Sequence, residues 1–333
     1  MPEISIIMPA YNAGKYIGNA IESIINQTFK NWELIIVDDC STDNTVDIIE
    51  SYRYSHNNIL LIKRAHNSGA ARLPRREAAF AATGEYIMTF DADDFLDNDY
   101  IEKMYNRKTS TGSDITLGTL YFCNADGELK DNVIPNKKFN KDCILTGADA
   151  TRLLLGEVAI SVSGLLVNKE LYLNNISTAN ELYDNLSYVD EIDQRALLIN
   201  CRKVSFTDAG YYYRQHSESL MHLVDAKRYN ILTAMEAIRQ FAKKHYLDRA
   251  IFEKLDNEFI TNLLYCYRDY FYYKHNRSSE STKIKKILKH AFEYSRKEGM
   301  QPNGKKQKIC MFTHNTLKLI SYIYGTFLRI KRN

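Results

Sequence analysis

The first hundred residues alternate between short apolar runs and amphipathic stretches, and this alternation limits the fold more than any other feature. Four apolar runs predict strands, at residues 4–8, 34–37, 59–64 and 86–90. Three stretches between them have apolar residues at helical spacing, at 17–25, at 46–49 and over roughly 75–83. The order predicts an α/β fold, with a mostly parallel central sheet and helices on both faces. Ligands of such sheets bind at the carboxyl ends of the strands.

Carboxylates follow two of the predicted strands directly. Asp38 and Asp39 come after the second strand, and Asp91, Asp93 and Asp94 come after the fourth. Because the carboxyl ends of parallel strands lie at one edge of a sheet, we expect these side chains to converge. Converging carboxylates repel one another unless a cation neutralises them, and the D-x-D spacing suits a divalent ion such as Mn²⁺ or Mg²⁺. Such an ion can also bind phosphate oxygens.

The same carboxylates also allow purely structural interpretations. Asp94 and Asp97 could cap the helix that follows them. Asp38 and Asp39 could belong to a turn that continues to Asp43. The position of the residues, each immediately after an apolar strand, favours the ligand site.

Charge is distributed unevenly along the 333 residues, although the net charge is only +3. From residue 271 onward there are fifteen Lys and Arg against three Glu, which gives +12 and leaves −9 for residues 1–270. The acidic body argues against a nucleic-acid-binding protein. The amino terminus resembles neither a signal peptide nor a spanning helix, and the six cysteines are scattered, so we expect a cytoplasmic location.

Several motifs together resemble the inverting, nucleotide-sugar-dependent glycosyltransferases of the family 2 type, which have the GT-A fold. The segments are SIIMPAYNAGKYIGNAIESIINQTFKNWELIIVDDCSTDNT, NSGAARLPR and GEYIMTFDADDF, with weaker matches in YVDEIDQRALL and YYYRQHSES. The resemblance covers about residues 3–220. It implies a catalytic domain at 1–225, with a donor half at about 1–110 and an acceptor half at about 111–225. A helical, basic region would follow at 226–333.

The resemblance also implies a donor site. In this family, the first loop and the carboxylate after the second strand hold the base and ribose, and an arginine after the NSG segment reaches the base or diphosphate. The residues implied are Pro9, Tyr11, Asp38, Asp39 and Arg75. Asp91 and Asp93 would hold the metal ion and, through it, the diphosphate of a nucleotide-sugar, with a UDP-sugar as the default donor.

Two positions of the implied donor site depart from the family pattern. Cys40 stands where the family usually has glycine, and Arg76 stands where it usually has asparagine. Neither change removes a charged catalytic group. The extra cation at Arg76 would favour an acidic sugar or a second phosphate contact.

The catalytic base is implied by a looser match. The family carries Glu-Asp at the start of a helix, and alignment back from CRKVSF and YYYRQHS assigns the base to Asp190, with Glu191 beside it. The base would deprotonate the acceptor hydroxyl in a single, inverting displacement. Alternatively, Asp190, Glu191 and Asp193 form an acidic first helical turn that the helix dipole favours.

Enzymes of this fold sometimes close the site with a later histidine or arginine. This implies that Arg214 contacts the diphosphate and that His216 contacts the metal ion. Alternatively, Tyr211–Tyr213 belong to an edge strand with its polar ends in water.

The basic carboxyl-terminal region suggests contacts outside the catalytic domain. Its mixture of Leu, Ile, Tyr and Phe with Lys and Arg suits peripheral contact with an anionic membrane at its inner face, and packed basic helices are the alternative. The tyrosines of residues 263–275 suit a homodimer face or a packed core. Membrane contact would fit a lipid-linked saccharide acceptor in cell-surface polysaccharide synthesis.

Two other functional classes stay open. A sugar-1-phosphate nucleotidyltransferase uses a similar sheet, but MPAYNAGKYIG has no G-x-G loop after the first strand. A non-catalytic subunit that binds nucleotide-sugar would keep the fold without the chemistry, and the set of Asp39, Asp91, Asp93 and Asp190 argues against it.

Overall fold

The computed structural model describes residues 1–134, 142–154, 164–178, 189–216, 226–244, 248–273 and 279–300. Contacts divide the chain into two compact units. The described residues up to His216 form the first unit, and those from Ala226 to Met300 form the second. The predicted boundary after residue 225 falls in a stretch outside the described residues.

The first four strands of the first unit form the parallel part of the sheet, as the alternating pattern predicts. They are β1 (Ile4–Ala10), β2 (Trp32–Asp38), β3 (Ile59–Lys63) and β4 (Tyr86–Thr89). Their spatial order is β3-β2-β1-β4, and every neighbouring pair is parallel. Ala10 lies opposite Asp38, so β1 and β2 end at the same edge.

Four helices connect or follow these strands. They are α1 (Ile17–Ile25), α2 (Thr45–Ser55), α3 (Arg72–Ala81) and α4 (Tyr100–Thr111). Helix α3 begins three residues before the predicted start at 75. Pro74 is compatible with this start because a proline in the first helical turn lacks only an N–H that would have no intrahelical acceptor.

The remaining strands of the first unit give a mixed sheet. They are β5 (Phe95–Leu96), β6 (Ile115–Cys123), β7 (Leu129–Ile134), β8 (Ile144–Thr146), β9 (Leu166–Asn168) and β10 (Lys203–Arg214). The sheet continues from β4 in the order β9-β6-β10-β5. Strand β9 is antiparallel to β4 and β6, whereas β10 is parallel to β6. The central sheet and the α/β class are thus confirmed, with parallel pairing concentrated in the first half.

Strand β10 is an inner strand. It pairs with β6 on one side and with β5 and β8 on the other. The edge-strand alternative for Tyr211–Tyr213 is therefore wrong. The ring of Tyr211 is buried on one face of the sheet, where it packs against Phe90 and Tyr100, a long-range contact that tyrosine spacing does not reveal.

Helices cover both faces of the sheet, and successive strand residues face opposite cores. Ile4, Ile6 and Met8 of β1 pack in one core with α1 and α4, whereas Ile7 packs in the other core with α3. The second core also contains residues of α5 (Gly147–Leu154), α6 (Lys169–Thr178) and α7 (Val189–Asn200). The alternation follows from the two-residue period of a strand.

The second unit is helical, as predicted. A short 3-10 helix (Ala226–Tyr229) precedes α8 (Asn230–Lys244), α9 (Arg249–Tyr272) and α10 (Ser281–Lys297). Tyr267 and Tyr270 of α9 are buried in its core, in agreement with the packed-core alternative for the tyrosines. Among the described residues, no helix combines the length and the apolar character that a membrane crossing requires.

Lys108 of α4 is a buried cation that supports the corner between α4 and β6. Its Nζ donates hydrogen bonds to the backbone oxygens of Ser113 and Asp114, both at 2.8 Å, and lies 5.0 Å from the ring centre of Tyr86. Burial lowers the pKa of Lys108 to about 7. A neutral amine keeps two N–H donors, so both hydrogen bonds survive deprotonation.

We predict that Lys108→Met destabilises the first unit by about 1–3 kcal/mol at pH 9, because two buried carbonyls lose their donor. The difference in the free energy of unfolding between the wild type and Lys108→Met should also grow with pH. Above pH 7 the folded protein holds Lys108 neutral while the unfolded chain still binds a proton, so wild-type stability rises relative to the variant, by about 2 kcal/mol between pH 7 and pH 9. The measurement is urea unfolding followed by the fluorescence of Trp32, the only tryptophan, which is buried in β2.

Lys103→Met on the same helix is the matched control. Lys103 is partly exposed and pairs with Asp99 at 2.9 Å. The pKa of Lys103 is raised, chiefly by its hydrogen bond to Asp99, so it stays protonated between pH 7 and pH 9. A wild-type advantage over Lys108→Met that stays constant or shrinks with rising pH would contradict the prediction.

Candidate active site

Acidic side chains converge where β2 and β4 end. Strands β2 and β4 flank β1, and Asp38 is the last residue of β2. Asp91 and Asp93 follow β4, as the sequence predicts. Of the two predicted residues at the end of β1, Pro9 is half-buried and Tyr11 is exposed. An exposed aromatic ring beside a carboxylate edge can stack on a flat ligand.

The loops after β1 and β2 hold each other. Asn12 donates its backbone N–H to the Ser41 hydroxyl at 2.9 Å, and its side-chain oxygen accepts the N–H of Thr42 at 2.8 Å. Asn12 and Cys40 both have left-handed backbone angles, with φ of 47° and 66°. Cys40 stands at the position where the family usually has glycine, the residue that adopts this conformation without steric cost.

The carboxylate of Asp39 is buried and bound by several protein donors. Arg64 contacts it at 2.5 Å, and Ser68 donates both its backbone N–H, at 3.0 Å, and its hydroxyl, at 2.8 Å. The neighbouring Asp38 accepts the N–H of Ser41 at 3.1 Å, as the turn interpretation predicts. The other oxygen of Asp38 is buried and has no partner among the described residues.

Each carboxylate of the D-x-D pair contacts a cationic or imidazole side chain. Arg75 of α3 lies 2.5 Å from Asp91, and His216 Nε2 lies 2.9 Å from Asp93. The His216 ring packs on Tyr16, with 4.7 Å between ring centres. The sequence-predicted residues Arg75, Asp91, Asp93 and His216 thus lie in two adjoining pairs.

Asp94 is fully buried between β4 and β10. Tyr211 donates its hydroxyl to Asp94 at 2.5 Å, and Arg214 donates its backbone N–H at 2.8 Å. Burial, followed by the charges of Asp93 and Asp91, raises the pKa of Asp94 well above its usual range. The capping alternative is wrong for Asp94 and Asp97, because Asp94 binds Tyr211 and the carboxylate of Asp97 accepts the hydroxyl of Tyr212.

Arg214 is buried, and its guanidinium reaches three elements. It donates to the backbone oxygens of Asp93 and Ala125 and to the side chain of Asn19, each at 2.8 Å. The guanidinium also lies 5.1 Å from the ring centres of Tyr16 and Phe95. In this structure, therefore, Arg214 holds the backbone of the D-x-D segment, and the predicted contact with a diphosphate stays a prediction.

The two predicted catalytic residues lie in the first turn of α7. The structure describes the backbone of Asp190 and Glu191, and their side chains lie outside the described residues. Asp193, which the acidic-turn alternative groups with them, forms a buried ion pair with Arg72 of α3 at 2.9 Å.

Carboxylate oxygens and an imidazole nitrogen suit Mn²⁺, and the oxygens alone suit Mg²⁺. Within the part of the chain that the structure describes, no three His, Cys, Asp or Glu side chains converge closely enough to hold an ion. The residue types therefore fit a divalent ion that takes two protein carboxylates and fills its other positions with ligand oxygens and water.

Four contributors to this region were not predicted from the sequence. Arg64 and Ser68 bind Asp39, Tyr16 supports His216, and Tyr211 binds Asp94. Arg64 follows β3, so the rule that ligands gather at the carboxyl ends of strands could have found it. Ser68, Tyr16 and Tyr211 lie in the quoted motifs NSGAARLPR, SIIMPAYNAGKYIG and YYYRQHSES, but no local pattern identifies the partners that they contact.

Comparisons with known proteins agree with this architecture. Residues 5–158 match the family model described as Glycosyl transferase family 2. A poly(ribitol-phosphate) beta-glucosyltransferase of Bacillus spizizenii is 31% identical over 252 residues, which are 74% of this chain and 38% of that protein. The chain thus spans about two fifths of the length of this relative.

Solved structures share the fold. Staphylococcus aureus TarS 1–349, crystallised with UDP-GlcNAc, is similar with a TM-score of 0.73 and 20% identity, over 99% of this chain and 92% of that one. The mannosyltransferase PcManGT of Pyrobaculum calidifontis, in complex with GDP-Man and Mn²⁺, has a TM-score of 0.51 and 13% identity, over 100% of this chain and 88% of that one.

We predict that Tyr211→Phe destabilises the first unit by about 1–3 kcal/mol, because Asp94 loses a donor in a fully buried site. The matched control is Tyr212→Phe in the same strand. Tyr212 binds Asp97 in a half-buried position, where water can replace the lost hydroxyl, so we expect a change of about 1 kcal/mol or less. Urea unfolding followed by Trp32 fluorescence measures both, and equal losses would refute the special role of Tyr211.

Proposed function

We propose, since the chain belongs to glycosyl transferase family 2 through residues 5–158, that it transfers a sugar from a nucleotide-diphospho-sugar to an acceptor hydroxyl with inversion at the anomeric carbon. The observation that carries the proposal is the pair Asp91 and Asp93, which follows β4 at the edge where β2 also ends in carboxylates. Arg75 lies against Asp91, so a cation for the diphosphate is already present there.

A UDP-sugar is the proposed donor. Support comes from the likeness to TarS, which was crystallised with UDP-GlcNAc. The base and ribose would lie against Pro9, Tyr11, Asp38 and Asp39. The buried oxygen of Asp38 that has no partner among the described residues would gain a donor from the nucleotide after a small movement of the surrounding loops. Arg75 would contact the diphosphate.

A divalent ion, Mn²⁺ or Mg²⁺, would be held by Asp91 and Asp93. His216, which contacts Asp93 in this structure, would become a further ligand only if the ion draws the three side chains closer together. When bound, the ion would neutralise the negative charge that develops on the leaving diphosphate. The complex of PcManGT with GDP-Man and Mn²⁺ is a precedent for a metal in this fold.

Asp190 is the proposed general base, with Glu191 beside it. The acceptor oxygen would form a bond to the anomeric carbon while the bond from that carbon to the diphosphate breaks. The acceptor proton would pass to Asp190, and the bonding electron pair would leave with the diphosphate. Buried Arg214 would keep the D-x-D backbone in place during the transfer, because it binds the carbonyl of Asp93.

The acceptor is proposed to be a hydroxyl of a cell-surface polymer or of a lipid-linked saccharide. The poly(ribitol-phosphate) glucosyltransferase among the relatives makes poly(ribitol phosphate) the first polymer to test. UDP-glucose and UDP-GlcNAc are the first donors.

We predict Mn²⁺-dependent binding of UDP to the full chain and a loss of at least tenfold in affinity in Asp93→Asn, because the variant loses a charged metal ligand. Calorimetric titration of UDP, GDP and dTDP, with and without Mn²⁺, measures this. Asp97→Asn is the control, since this carboxylate lies four residues further on, directly after β5, and binds Tyr212. Nucleotide binding that depends on neither Mn²⁺ nor Asp93 would refute the proposed donor site.

The variant Asp190→Asn separates binding from chemistry in the same series. We expect it to keep UDP affinity and to lose about 10²–10⁴ in the rate of UDP release with poly(ribitol phosphate) as acceptor. UDP binding by the wild type without turnover on any saccharide acceptor would favour a non-catalytic nucleotide-sugar-binding subunit.

Peripheral membrane contact through the basic carboxyl-terminal region is a further proposal, and α10 supports it. Its exposed lysines are Lys283, Lys285, Lys286, Lys289 and Lys297. We predict that Lys285→Gln, Lys286→Gln and Lys289→Gln together reduce binding to vesicles rich in phosphatidylserine by about 100-fold, at about 1 kcal/mol per lysine. Co-sedimentation measures this, with phosphatidylcholine vesicles as control, and unchanged binding would exclude α10. The homodimer expected from the sequence is tested by light scattering on the wild-type protein without vesicles.

A further inference from the structure

Arg72 and Asp193 form a buried ion pair that the family resemblance does not assign. Arg72 donates from Nε to Asp193 Oδ2 at 2.9 Å and from one terminal nitrogen to Oδ1 at 3.2 Å. The two side chains are only 5% and 12% exposed. This two-point geometry fixes both the distance and the orientation of the groups.

Because the Arg72–Asp193 pair is buried, a gain in stability alone does not explain why it is there. Removing two charges from water costs about as much free energy as their attraction returns, so a buried pair is often no more stable than apolar residues of similar volume. What such a pair does supply is a fixed relation between the two elements that carry it.

The elements that the pair joins are those that carry the proposed chemistry. Arg72 begins α3, and Arg75, one turn later, binds Asp91 of the D-x-D pair. Asp193 lies on α7 one turn after Asp190. The backbone oxygen of Asp193 also accepts the side chain of Asn175 from α6 at 3.0 Å, so Asp193 is held through both its side chain and its backbone.

The buried phenol of Tyr172 on α6 lies near both ion pairs, Arg72–Asp193 and Arg75–Asp91. Burial raises the pKa of Tyr172, and the charges that also act on it are those of Arg75, Asp193, Arg72 and Asp91. Both ion pairs therefore lie within electrostatic reach of a single side chain.

We propose that Arg72 and Asp193 are positioning residues, which fix the first turn of α7 relative to α3 and so set the distance between the catalytic base and the donor. The inference rests on the proposed function for the role of Asp190. The inference concerns how the base is positioned rather than which residue is the base, and neither Arg72 nor Asp193 is proposed to touch the reacting atoms.

The test compares Asp193→Asn, Arg72→Met and Arg72→Lys with the wild type. The readouts are the Kd of UDP and the rate of UDP release from UDP-GlcNAc or UDP-glucose, whichever is faster in the wild type, with poly(ribitol phosphate). We expect Asp193→Asn and Arg72→Met to lower kcat by about 100-fold, because a displacement of about 1 Å costs this much. The Kd of UDP should change less than about twofold. Arg72→Lys should recover part of the rate, since lysine restores the charge without the two-point geometry.

A double variant separates positioning from folding. Arg72→Met combined with Asp193→Asn leaves no uncompensated buried charge, so its stability should recover relative to the single variants. We expect kcat to stay low. Recovery of kcat together with stability would overturn the inference, as would single variants that lose stability but keep kcat within twofold of the wild type.

Asp256→Asn is a control rather than an exact match, because Asp256 pairs with Arg239 in the second unit at similar exposure, 15% and 6%, but Arg239 also pairs with Glu298. It should lower stability without lowering kcat. Hydrogen exchange supplies a readout that needs no turnover: amides of residues 189–200 should exchange faster in Asp193→Asn and at the wild-type rate in Asp256→Asn. Unchanged exchange in Asp193→Asn would overturn the inference.

Asp190→Asn distinguishes a failure of the inference from a failure of the proposed function. Full turnover in both Asp190→Asn and Glu191→Gln would remove the base from the first turn of α7 and would overturn both. If Asp190→Asn abolishes turnover while Asp193→Asn and Arg72→Met retain it, only the positioning inference is overturned.

Discussion

The concentration of carboxylates at one sheet edge is the constraint on which the rest of the first unit depends. Parallel pairing of β2, β1 and β4 brings the ends of these strands together, and Asp39, Asp91, Asp93 and Asp94 follow them. Like charges at this density are unfavourable without compensation. Arg64 after β3 and Arg75 on α3 bring positive charge from separate parts of the chain, and His216 after β10 contacts Asp93 through Nε2.

The carboxylates fall into two groups that differ in burial and in their partners. The difference suggests a supporting role for one group and ligand binding for the other. Asp39 and Asp94 are buried and saturated by protein donors, which suits a supporting role. The side chains of Asp91 and Asp93 are 23% and 32% exposed. Of these four carboxylates, Asp91 and Asp93 are the two that solvent reaches most, and they are the pair to which the proposed metal is assigned.

The sequence predicts those features that depend on neighbouring residues. The apolar runs predict β1 to β4, because the burial of a strand shows in the pattern of consecutive residues. The strand-end carboxylates are then the acidic residues that directly follow those runs. Contacts between residues that are far apart in the sequence could not be predicted from such local patterns. Arg72 and Asp193 are 121 residues apart, and Tyr211 and Asp94 are 117 residues apart. No local pattern distinguishes a buried arginine or tyrosine with such a partner from an exposed one.

Arg72 and Arg75 of α3 show why this distinction matters for mechanism. The family resemblance gives a role to Arg75 alone, because Arg75 follows a motif. The fold gives Arg72 an equally specific partner, on the helix where the base is proposed. Arg72 and Arg75 are one turn apart on a single helix, so backbone hydrogen bonds fix their separation. On the proposed mechanism, helix α3 therefore sets the distance between leaving group and base through its two ion pairs, one with Asp91 and one with Asp193.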